Sequence, residues 1–267
     1  MSRHGLFSLE GKKILVTGAA GHLGAALCEY LVRDGATVLA VDIDTSALAR
    51  LQTELNPSGD LLVTFPADLA DEASRVEMAS SVSGHTQHLD GAVFAAAFVG
   101  TSAADGWAVD FAEQTLPPWR AALELNLTAP FHLTQLLEGL LRKGNNPSIV
   151  NVGSIYGSKA PDWSLYEGVA MANPAAYAAS KGGLVQLNRW LASVLSPAIR
   201  VNMVSPGGIV RGQPQAFIDR YEKKVALGRM ATEQDIVGPI VSLLGRASQY
   251  VTGQNLLVDG GFEVAVS

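Results

Sequence analysis

The chain has 267 residues, 48% hydrophobic and only 16% charged, with a formal net charge of −6. That length suits one large domain with a sizeable core, and the apolar share suits a sheet covered by helices on both faces. The acidic balance and the lack of a Lys/Arg-rich run exclude an obvious nucleic-acid or anionic-membrane surface, leaving small molecules as the expected partners.

In chain order, a short apolar strand over 14–16 runs into the turn Thr17-Gly-Ala-Ala-Gly-His-Leu-Gly24. A helical pattern follows over 23–32, then a second strand over 37–41 closed by Asp42. Cys28, the only cysteine, falls inside that first apolar helix and is expected as a buried thiol in a reducing compartment. Further strand-like runs lie at 61–65, 91–95, 148–152, 199–204 and 255–258, with helical stretches in most of the gaps. The alternation predicts a single α/β domain over 1–267, a doubly wound, Rossmann-type seven-stranded parallel sheet with helices on both faces. Ligands of such sheets sit at the carboxyl ends of the strands. Two stretches, 99–118 and 158–173, are too long for plain connections and follow strands, so they are expected over that crevice. No signal-peptide pattern and no run of about 18 apolar residues is present, so a cytoplasmic location is expected, without membrane attachment.

Gly18, Gly21 and Gly24 let the backbone approach a pyrophosphate at the positive end of the helix that opens with His22 and Leu23. Asp42, closing the second strand, can accept hydrogen bonds from ribose hydroxyls and would repel a 2′-phosphate, so NAD is expected over NADP. Tyr177 and Lys181 stand four apart in a helical stretch and share one face. A free phenol has a pKa of about 10, and an adjacent ammonium favours the phenolate, which makes this pair an expected acid/base device. Tyr156 and Tyr166 lack that partner, since Ala160 and Ala170 stand four residues on. His4, His85 and His88 lie in polar segments, and no metal site is expected.

The glycine turn, the set Asn126, Ser154, Tyr177 and Lys181, and the Pro206-Gly207 turn together resemble the short-chain dehydrogenase/reductase family over nearly the whole chain. The resemblance implies that Asp68 and Leu69 border the adenine and that Ala95 and Ala96 flank the cofactor after the fourth strand. It implies that Pro206 and Gly207 face the nicotinamide and that the backbone of Ile209 meets its carboxamide. Asn126 would anchor a water in a proton relay, Ser154 would polarise the substrate oxygen, and Tyr177 would exchange the hydroxyl proton. Lys181 would lower the tyrosine pKa and hold the ribose. A homodimer or homotetramer is implied as well, and the apolar stripe around Trp190 is a possible subunit interface.

Three departures from the family stand out. His22 occupies a place where most short members have glycine, and the resulting spacing is that of the sugar-nucleotide epimerase and dehydratase branch. Gly91-Ala-Val-Phe-Ala-Ala-Ala97 replaces Asn-Asn-Ala-Gly, so the amide bonds that tie this region must come from elsewhere. The stretch between Ser154 and Tyr177 is longer than in close relatives. This insertion, 158–173, carries Trp163, Tyr166 and Glu167, an aromatic platform with an acid that suits a sugar ring, although an exposed loop or an oligomer contact fits equally. Arg211 stands where many relatives have Thr, placed either to bind an anionic substrate group or to face solvent. The segment 211–224 is expected as a mobile lid.

The expected activity is hydride transfer between NAD(H) and a secondary alcohol or its ketone. A polyol, sugar or sugar derivative is expected because the stretches 163–179 and 205–214 look like reductases of bacterial surface-sugar and flagellin-modification pathways. The alternatives are an NAD-dependent nucleotide-sugar epimerase or dehydratase, and a non-catalytic nucleotide sensor of the same fold.

Overall fold

The computed structural model describes residues 5–56, 60–99, 104–169 and 171–264; His4 and Ala170 lie outside them. Seven parallel strands form one sheet: β1 (Lys13–Thr17), β2 (Thr37–Asp42), β3 (Leu62–Pro66), β4 (Gly91–Phe94), β5 (Ser148–Val152), β6 (Arg200–Pro206) and β7 (Asn255–Val258). Their order is β3-β2-β1-β4-β5-β6-β7, so the chain reverses direction between β1 and β4. The expected doubly wound sheet is present. The sixth strand starts one residue later than its apolar pattern, because the amide of Ile199 still bonds back to the Leu195 carbonyl at 3.0 Å.

Alternation along the strands assigns each helix to a face. Ile14, Val16, Val38 and Ala40 pack with Leu23, Leu27 and Leu31 of α1 (His22–Arg33), Leu48 of α2 (Thr45–Leu55), and Ile240 and Leu244 of α8 (Glu233–Leu244). Leu15, Leu39, Val41 and Ile149 turn the other way. They meet Met78 and Val82 of α3 (Glu72–His85), Leu133 and Leu137 of α5 (Ala129–Leu141), and Leu191 and Leu195 of α6 (Ala175–Leu195). Each such leucine, fully buried, contributes about 1.5–3 kcal/mol by leaving water. Cys28 is fully buried, and burial together with the Asp42 charge pushes its thiol up to about 12, so it is an inert part of this layer.

Two further helices complete the carboxyl end of the sheet. The helix α4 (Leu116–Leu123) passes into a π-helical turn, Glu124–Thr128, before α5. The helix α7 (Gln215–Lys223) follows β6 and caps the crevice. Among the described residues, no helix is long and apolar enough to cross a membrane.

Candidate active site

The turn between β1 and α1 is built on steric demands that only glycine meets. Gly18 has φ +65°, and a Cβ there would lie 2.8 Å from the amide nitrogen of Ala96. A Cβ on Gly24 would overlap the Gly18 carbonyl oxygen. Gly21 is the N-cap of α1 and gives it no side-chain cap, so the first amides of the helix, from His22 onward, face outward with a positive field. Such a cradle fits the diphosphate of a dinucleotide. Asp42 stands beside it, one carboxylate oxygen accepting from Ala20 N at 3.0 Å and the other from Asp44 N at 3.1 Å. Each oxygen keeps a lone pair for a ribose hydroxyl.

Asp68 is exposed and closes its own turn by accepting from Ala70 N at 2.9 Å, while Leu69 is buried and its carbonyl accepts from the buried Arg75 at 2.7 Å. The segment after β4, which lacks the family's paired asparagines, is tied by two other side chains. Thr17 Oγ1 accepts from the amides of Ala95 and Ala96 at 3.1 and 3.2 Å. Asn126 brackets Phe98, accepting from its N–H at 2.7 Å and donating to its carbonyl at 2.9 Å. Thr17 escaped sequence reasoning; a hydroxyl at the last position of β1 was the available signal.

The second amide hydrogen of Asn126 goes to Ser180 Oγ at 3.0 Å, so its side chain has only one oxygen lone pair left for a relay water. Asn126 is fully buried within the π-helical turn, a distortion that often marks functional positions. Here it serves to aim the amide across the crevice floor at both Phe98 and α6.

Ser154, two residues past β5, caps a short 3-10 turn (Ile155–Gly157) by accepting from Tyr156 N at 3.2 Å, and its hydroxyl is close enough to the Tyr177 phenol to favour the phenolate. Tyr177 and Lys181 share a face of α6, with the Lys181 Nζ 5.9 Å from the Tyr177 ring centroid. The structure thus brings together Asn126, Ser154, Tyr177 and Lys181. Burial dominates and raises the Tyr177 phenol above its usual range, opposed by Ser154 and the Arg211 charge. The Lys181 Nζ donates to the Val152 carbonyl at 2.9 Å, and burial lowers the ammonium itself to about 8.

Pro206 and Gly207 close β6, and the Ile209 carbonyl accepts from the Gln213 amide at 2.7 Å. Arg211 is exposed and pairs with Glu233 at 3.1 Å, and its charge favours the Tyr177 phenolate. Trp163 is 59% exposed and Glu167 is exposed, whereas Tyr166 is half-buried and bonds the hydroxyl of Tyr156 at 2.9 Å. The segment expected as a lid meets the insertion: Tyr166 packs edge-on to Phe217 of α7 at 5.4 Å, and Lys224 pairs with Asp162 at 2.5 Å. The insertion and the lid therefore form one roof.

A family model described as Enoyl-(Acyl carrier protein) reductase matches residues 18–263. The chain is 32% identical over 256 residues to post-translational flagellin modification protein A of Campylobacter coli, covering 95% of this chain and 99% of that one. It is 28% identical to D-threitol dehydrogenase of Mycolicibacterium smegmatis, covering 97% and 95%. Among solved structures, the Pseudomonas aeruginosa RhlG/NADP active-site complex superposes with a TM-score of 0.85 at 29% identity, covering 98% of this chain and 100% of that one. The chain belongs to the short-chain dehydrogenase/reductase family of NAD(P)-dependent oxidoreductases acting on CH–OH groups.

Proposed function

We propose that this protein interconverts a secondary alcohol and its ketone with NAD(H), and that the substrate is a polyol, sugar or sugar derivative. The observation that carries the reading is the grouping of buried Ser154 and Lys181 about Tyr177, with the Lys181 Nζ 5.9 Å from the phenol ring, at the sheet end that also bears the glycine cradle. When bound, the nicotinamide supplies the two-electron chemistry at the alcohol carbon. The diphosphate would rest on the α1 terminus between Gly18 and Gly24, the ribose hydroxyls on Asp42 and Lys181, and the adenine beside Asp68 and Leu69. Pro206, Gly207 and the backbone of Ile209 would meet the nicotinamide end, with Ala95 and Ala96 along the crevice floor. The Asp42 carboxylate is the reason for preferring NAD, in contrast to the NADP of the RhlG complex.

Tyr177 exchanges the hydroxyl proton, and Ser154 holds the same substrate oxygen. Because burial keeps the phenol protonated at neutral pH, Tyr177 is loaded as the acid for ketone reduction. Alcohol oxidation needs the phenolate, so its rate rises with pH into the alkaline range while reduction does not. The exposed, apolar face of α6, with Trp190 at 52% and Val194 at 47% exposure, supports a homodimer or homotetramer. A Tyr177→Phe protein should bind NADH normally and lose about 10²–10⁴-fold in turnover. Full turnover would remove the proton-transfer role, and a wild-type preference for NADPH would remove the assignment to Asp42.

A further inference from the structure

Between the insertion and the 104–118 segment lies a cavity of about 450 Å³, lined among others by Gln114, Asp110, Trp163, Tyr166, Glu167 and Asn173. Behind Tyr166 sits a polar cluster that proton transfer does not use. The hydroxyls of Tyr156 and Tyr166 are 2.9 Å apart, and Asn173 lines the same cavity as Tyr166. Burial raises both phenols, so each keeps its proton at neutral pH.

Counting donors then decides what the cluster lacks. One phenol donates to the other, which leaves one phenol proton of the pair over. Tyr156 does not line the cavity and, among the described residues, has no other acceptor, so it is the one that donates inward to Tyr166. The proton of Tyr166 is left over, and Asn173 Oδ1 is buried with no partner although the residue is only 6% exposed. One donor and one acceptor stay unmet, and a hydroxyl is the group that is both.

The charges around the cavity restrict the ligand further. Its lining carries two carboxylates, Asp110 and Glu167, and, among the described residues, no Lys or Arg. The cations that touch the insertion are already engaged: Arg220 donates to the carbonyls of Leu165 and Glu167 at 3.4 and 2.5 Å, and Lys224 pairs with Asp162. Trp163, 5.8 Å from the Tyr166 ring, offers an open aromatic face beside the donor. The lining also includes Pro174, Ala175 and Ala178, which flank Tyr177 along α6, so the cavity adjoins the proton-transfer set.

We infer that Tyr166 donates a hydrogen bond to a non-reacting hydroxyl of the substrate and Asn173 Oδ1 accepts one from it, that Tyr156 is a positioning residue aiming the Tyr166 proton, and that the substrate is a neutral polyol or sugar rather than a sugar acid or phosphate. This rests on the alcohol/ketone reading above and narrows it.

Three four-carbon probes test it: D-threitol, 2,3-butanediol, which lacks the terminal hydroxyls, and D-threonate, in which one terminus is a carboxylate. The wild type should prefer threitol to each of the others by at least about tenfold in kcat/KM. Tyr166→Phe keeps the ring on Phe217 and should shrink the threitol-to-butanediol ratio about tenfold, with Tyr156→Phe and Asn173→Ala shrinking it less. A ratio that Tyr166→Phe leaves unmoved, or threonate preferred to threitol, overturns the inference while leaving alcohol oxidation intact. If none of the three is oxidised, the alcohol/ketone reading fails, and calorimetric titration of threitol into the NADH-loaded protein decides the rest. Binding weakened by Tyr166→Phe keeps the donor assignment, and no threitol binding ends it.

Discussion

The two sides of Tyr177 are held together by different physics. On the nucleotide side, the β1–α1 turn is fixed by backbone contact: Gly18 against Ala96, Gly24 against Gly18, and Thr17 Oγ1 on two successive amides. On the roof side, contacts run between side chains far apart in sequence. Tyr166 meets Phe217, Phe217 stacks on Tyr221 at 5.9 Å, and Tyr221 stacks on Phe262 at 4.8 Å. The roof is tied to the nucleotide side by the Tyr221 hydroxyl, which accepts from Gly208 N at 2.6 Å, and by the Gln213 side chain on the Ile209 carbonyl. The first side tolerates no added atom, whereas the second can exchange its parts one at a time. A single proton-transfer set can thereby serve different substrates.

The largest effect should come from adding one methyl to the nucleotide side. In Gly24→Ala the new Cβ meets a carbonyl oxygen that cannot move without the whole turn, so NADH affinity should fall at least about 100-fold, or the chain should fail to fold. Gly84→Ala is the contrast: in α3 nothing lies within 4 Å of the added Cβ, and stability should rise by about 0.5–1 kcal/mol. Fluorescence titration with NADH and thermal melts check both. Equal tolerance at the two glycines would break the distinction.

An intermediate effect sits where the two sides meet. Burial holds Lys181 at about 8 against an ordinary 10.5, which costs the folded state about 3 kcal/mol at neutral pH. Lys181→Met should abolish turnover and yet raise stability at pH 7. Between pH 8 and about 10.5 the unfolded chain binds the extra proton, so wild-type stability should climb with pH across that window and the advantage of the variant should shrink. Denaturant unfolding at pH 7 and pH 10 measures this, and a destabilised variant at pH 7 would show that the Val152 hydrogen bond outweighs the desolvation.

The same division explains what was legible in the sequence. The strands were, because period-2 alternation sends Ile14 and Val16 to one layer and Leu15 to the other. So was the placement of Asn126, Ser154, Tyr177 and Lys181, because these residues sit at fixed points of those strands and helices. The tie from Thr17 to Ala95 and Ala96 was not, nor was the bracket of Asn126 on Phe98, since both join segments that only the folded sheet brings together. The surroundings of the Lys181 ammonium were not legible for a related reason. Spacing on a helix reports that two side chains share a face, but burial and the carbonyl of Val152 decide where the ammonium goes.

The smallest effect should come from the edge of the roof. Lys224 and Asp162 form a short pair, but both side chains are about one-third exposed, 34% and 31%, so solvent screens it. Lys224→Ala should therefore cost less than about 1 kcal/mol, a shift of about 2–4 °C at most in Tm. The carboxyl of Asp162 is held low mainly by its hydrogen bond with Lys224. What the pair contributes is therefore present above the ordinary carboxylate range and is lost as pH falls through the lowered value. KM for the alcohol should change by less than about threefold, because the stack from Tyr166 to Phe262 still fixes the insertion on α7. A tenfold rise in KM, reproduced in the wild type by high salt, would mean that the ion pair holds the roof and the aromatic stack merely fills it.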